Sequence, residues 1–155
     1  MIKKIFFVIF TILLLGAFVF STNNASANHS WGGYHWARTT SSFALKLGDN
    51  VSPVWDGHLA AASSDWSLFP VLATTVVPGK VNPRTCRPTS GRVEVCNSKY
   101  GNNSWLGIAS IWANGSHITQ GTVKLNDTYF NTAKYNTSAW RQFVTCQEIG
   151  HTFGL

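Results

Sequence analysis

Cys146-Gln147-Glu148-Ile149-Gly150-His151-Thr152-Phe153-Gly154-Leu155 is the stretch on which the reading of this chain turns. Just before it, Trp140, Phe143 and Val144 begin a series at i, i+3 and i+4 that Gln147 and His151 continue at i+7 and i+11. That spacing predicts a helix with these residues on one face, and Asn136-Thr137-Ser138 supplies N-cap residues for it. Gln147 and His151 fall one turn apart, the arrangement by which a helix offers two ligands to one metal ion. Glu148 is placed beside them to aim a carboxylate at a metal-bound water. Gly154 lets the helix end in a left-handed residue and the chain turn back.

The segment resembles the active-site motif of metzincin zinc peptidases, H-E-x-x-H-x-x-G-x-x-H, and is most similar to the matrixin-like secreted bacterial members. The resemblance implies that Glu148 is the general base and His151 a zinc ligand, with Gln147 where the first histidine ligand belongs and Leu155 two residues short of the third. It therefore implies a secreted, zinc-dependent metalloendopeptidase whose Zn2+ polarises the attacking water. Residues 28–155 would then be the N-terminal part of a metzincin-like catalytic domain, with the C-terminal subdomain missing. An amide oxygen is a poor zinc ligand, so the chain as it stands is expected to be inactive. The expected fold is α+β: a mixed, mostly antiparallel-edged twisted sheet with two helices packed on it, the last being the active-site helix. The expected partner is an extended peptide or protein substrate laid along Ile118–Leu125, and the protein is expected to be a monomer.

The rest of the chain supports a small exported domain. Lys3 and Lys4, the apolar run Ile5 to Phe20 and Ala25-Ser26-Ala27 form a signal peptide over residues 1–27, of bacterial appearance, with the mature chain starting at Asn28. No later segment is apolar and long enough to span a bilayer. The formal net charge is +6, but the basic residues are scattered rather than gathered in a nucleic-acid stripe. Export exposes three cysteines to an oxidising environment. Cys86 and Cys96 flank a turn and the alternating run Arg92-Val93-Glu94-Val95, which predicts a local disulfide and leaves Cys146 over.

Coarse elements follow from periodicity. Phe43–Leu47 alternates as a strand. Ser52-Pro53 opens a helix carrying Trp55, Leu59, Ala62 and Trp66 on one face. Val71–Val77 and Ile118–Leu125 are strands, and Trp105–Trp112 is expected to be a strand buried on both faces. Asn114-Gly115 marks a tight turn between the last two. Trp55, Trp66, Trp105, Trp112 and Trp140 are expected in the core. Two rivals to the peptidase stay open: a catalytically inactive binding module on the same scaffold, and an aromatic-rich domain that stacks on cell-wall glycans. In a plainer reading, Glu148 and His151 are a polar pair at a helix end, where the macrodipole favours histidine. His29, His35, His58 and His117 are expected to be surface histidines.

Overall fold

The computed structural model describes residues 31–155; the expected signal peptide over residues 1–27 and the expected start at Asn28 lie outside them. Six strands form one sheet: β1 (His35–Trp36), β2 (Phe43–Asn50), β3 (Leu72–Pro78), β4 (Arg92–Ser98), β5 (Gly107–Asn114) and β6 (His117–Asn126). The helices are α1 (Pro53–Trp66), the single turn α2 (Asp127–Phe130) and α3 (Ser138–His151).

The fold is α+β, with a mixed sheet and two long helices, but the expectation of a mostly antiparallel-edged sheet is wrong. β3, β2, β4 and β6 lie side by side and parallel, and β1 adds parallel to the start of β6. Only β5 runs antiparallel, returning along β6 through the turn at Asn114-Gly115. Alternation of apolar residues reports which face is buried, not strand direction. Direction is decided by the connections: α1 carries the chain from β2 to a parallel β3, and segment 79–91 carries it from β3 to the far side of β2.

The strand buried on both faces is β4, not the Trp105–Trp112 run. Val93 and Val95 point into the main core with Leu45, Leu47, Val123 and Leu125. On its other face Arg92 pairs with Glu94 at 3.0 Å, and both are buried. Asn50 Nδ2 donates to Glu94 at 2.6 Å, so this buried charge is paired and hydrogen-bonded as burial requires. Gly48, directly across from Glu94 in β2, leaves the room that the ion pair fills. Cys86 and Cys96 form the expected disulfide, and Cys86 lies against the carbonyls of Glu94 and Val123, which ties segment 79–91 to the back of the sheet. β5 is instead the edge, with Ile108 and Trp112 exposed. Ile118–Leu125 lies inside the sheet, between β5 and β4, so it offers no free edge to a peptide.

Both long helices pack on the core face and against each other. Trp55, Leu59 and Ala62 of α1 are buried as the spacing predicts. Ser52 makes no side-chain cap; Asn97 holds that turn instead, accepting from Ser52 N at 2.6 Å. Trp55 stacks edge-on against Phe130 and donates its indole N–H to Asp127 at 3.0 Å. Thr137 caps α3 by accepting from Trp140 N at 3.2 Å.

Candidate functional site

α3 turns a different face inward from the one its aromatic spacing suggests. Arg141, Val144, Thr145, Glu148, Ile149 and Gly150 are buried, whereas Trp140, Phe143 and Gln147 look outward. Small residues decide this. Gly150 admits the Trp66 ring, which would lie 2.5 Å from an added Cβ, and Gly107 of β5 admits Glu148 Cγ and Val144 at 2.6 and 2.7 Å. Trp66 completes the helix–helix contact by donating its indole N–H to the Cys146 carbonyl at 3.0 Å.

The residues expected to hold zinc do not converge. Gln147 is exposed. The His151 ring stacks on Trp31, with centroids 5.7 Å apart, and its Nδ1 lies 2.6 Å from the Leu155 carbonyl oxygen. One imidazole nitrogen is left, too few for a tetrahedral ion. His58 pairs with Gln142 at 3.2 Å, and His35 and His117 face each other across β1 and β6 with ring centroids 4.8 Å apart. Among the described residues, no three His, Cys, Asp or Glu side chains are grouped to hold a metal ion. The donor set does not fit Zn2+, and this corrects the metzincin-like, matrixin-like zinc metallopeptidase reading and the hydrolase function inferred from it. Glu148 is a buried carboxyl under β5. Burial raises its pKa, while the His151 ring and the Ala109 backbone amide act in the opposite direction. Gly154 does adopt a left-handed conformation, φ +96°, and its missing side chain lets the Tyr34 carbonyl approach. That glycine closes the helix end against the N-terminal segment: Trp31 N donates to Gly154 O at 3.0 Å, and Trp36 Nε1 donates to Thr152 O at 2.8 Å.

The outward face of α3 has a different character. Tyr129, Tyr135, Trp140 and Phe143 form a run of edge-to-face rings with successive centroids 6.4, 5.3 and 6.1 Å apart. Trp140 is 39% exposed and Phe143 60%. Ala139, Trp140 and Phe143 border a hollow of about 310 Å3, and a second of about 310 Å3 adjoins it between Phe143, Asp65, Trp66, Gln142 and Gln147. Phe143 is the ridge they share. Along the helix, Trp140 to Gln147 spans about 10 Å. In the segment before the helix, Asn131, Thr132, Lys134, Asn136 and Thr137 are exposed, with the Lys134 ammonium 4.9 Å from the centre of the Tyr135 ring. Asp65, Gln142 and Gln147 border the second hollow, and the Gln142 amide nitrogen is buried there without a protein partner.

Of the five tryptophans assigned to the core, Trp55 is fully buried, Trp66 and Trp105 are half-buried, and Trp112 and Trp140 are on the surface. The missed signal was the second stripe of α3, Val144, Thr145, Ile149 and Gly150, whose small members allow the closer approach to the sheet. Comparison of the chain with protein-family models, with characterised proteins and with solved structures finds no match. No helix among the described residues is long and apolar enough to cross a membrane.

Proposed function

We propose that this protein is an exported binding module that holds a polysaccharide chain along the outer face of α3. The observation that carries the reading is the exposed Trp140–Phe143 pair with a hollow on each side of Phe143. Pyranose rings present apolar C–H faces and a perimeter of hydroxyls. Aromatic rings take the faces, because they offer large rigid apolar area at little conformational cost, and uncharged amides and hydroxyls take the perimeter. Two hollows sharing one ring over about 10 Å suit two consecutive sugar units. Export rests on the charged, apolar and small-residue segments of residues 1–27, and it places the module where cell-wall glycans are found.

The test is co-sedimentation of the purified protein with insoluble peptidoglycan, chitin and cellulose, with and without chelator. Retention on one polymer is expected, unchanged by chelator. Phe143→Ala is expected to weaken it by about tenfold or more and Trp140→Ala by less. Retention unaffected in the double variant, or none on any of the three polymers, overturns the reading.

A further inference from the structure

A third hollow, on the far side of Trp66 from α3's outer face, has a different chemistry. It lies where the β1–β2 connection, the segment after α1 and the final turn meet, and it measures about 330 Å3. Its walls are apolar: Trp36, Phe43, Trp66, Leu72 and Phe153. Phe69 stands at its mouth, 72% exposed. Trp66 and Phe153 meet edge-to-face at 5.2 Å, and the Trp36 indole N–H is already taken by Thr152, so the walls offer a ligand little but apolar surface.

The polar groups on the lining are His35 and Arg38. Arg38 is exposed and makes one long hydrogen bond, 3.4 Å to the Ser41 carbonyl. The one ion pair among the described residues is Arg92–Glu94, and none of the six acidic residues lines this hollow. A guanidinium with no Asp or Glu side chain beside it thus stands over a concave apolar chamber, which Val71 and Leu155 also border. Ligand sites of this size are typically apolar, with a few placed polar groups that fix orientation.

We infer that this hollow binds a medium-chain aliphatic carboxylate, with the chain between Trp66 and Leu72 and the carboxylate on Arg38. The volume has room for about ten heavy atoms, which matches an eight- to ten-carbon acid. Trp36 and Trp66 make the site self-reporting, because a chain packed against them changes their fluorescence.

The experiment titrates the purified protein with hexanoate, octanoate, decanoate and hexadecanoate below their aggregation limits, followed by tryptophan fluorescence and calorimetry. Affinity is expected to rise roughly fourfold per methylene up to about ten carbons and then level off. Octanol, which has the chain without the charge, is expected to bind about tenfold more weakly than octanoate, and Arg38→Gln to remove that difference without changing octanol binding. Leu72→Trp, which fills the chamber, is expected to abolish both. Equal binding of octanoate and octanol to the unaltered protein, no saturable signal, or affinity that keeps rising to hexadecanoate would each overturn the inference. So would association with anionic phospholipid vesicles in the absence of octanoate binding, which would assign Arg38 and Phe69 to a membrane surface.

Discussion

Glu148 sits where the strongest sequence signal meets a buried position. Its carboxyl lies beneath Gly107 of β5, and loss of hydration holds its pKa above the ordinary carboxylate value. Above that ordinary value the folded protein binds more protons at Glu148 than the unfolded chain does. Stability from this residue is therefore fully present at low pH and is lost as pH rises through the raised value. Glu148→Gln removes the titrating charge while keeping the shape. Its melting temperature is expected to exceed that of the parent at neutral pH, and the gap to close below the ordinary carboxylate range. A gap of constant size from acid to neutral pH would show that solvation of the carboxylate is not the cause.

The seat of α3 on the sheet edge belongs to the scale of elements. β5 is held on one side only, by β6, and presents Gly107 where α3 comes closest. A methyl group there would meet Val144 and Glu148 inside contact distance. Gly107→Ala is expected to push the helix away and cost about 1–3 kcal/mol in urea unfolding. The same shift would tilt the Trp140–Phe143 face, so glycan retention should fall in parallel with stability. The existence of both long helices was legible in their spacing, and Pro53 and Thr137 mark their starts. Which face of α3 turned inward was not. Periodicity offered two stripes, and the choice depended on Gly107, which meets Glu148, and on Trp66, whose indole reaches the Cys146 carbonyl 80 positions away, pairs that no local window contains.

Across the whole molecule, two layers do different work. The helices cover one face of a mainly parallel sheet, and segment 79–91, held by the Cys86–Cys96 bridge, lies against the other. Parallel sheets are stable when both faces are covered. The bridge closes a loop with a sequence separation of 10, so replacing both cysteines by alanine is expected to cost about 2–3 kcal/mol. Because this loop covers the buried Arg92–Glu94 pair, hydrogen exchange of the β4 amides should accelerate along with it. Unchanged exchange in β4 would mean that the sheet's second face holds without the bridge.

The order of β2 to β6 with α1 and α3, the disulfide pairing and the tight turn at Asn114-Gly115 follow from the sequence alone, because each rests on residues close together in the chain. Strand direction, the identity of the edge strand and the fate of the Gln147-Glu148-His151 group rest on contacts between distant segments. The motif set Gln147 and His151 one turn apart, as helical geometry requires. The tertiary structure then placed Trp31 against one, left the other in solvent and brought no third donor from the described residues. A metal site needs several ligands at one point, and helical spacing supplies only two of them. The fold around this helix spends its outer face on aromatic rings and its inner face on packing.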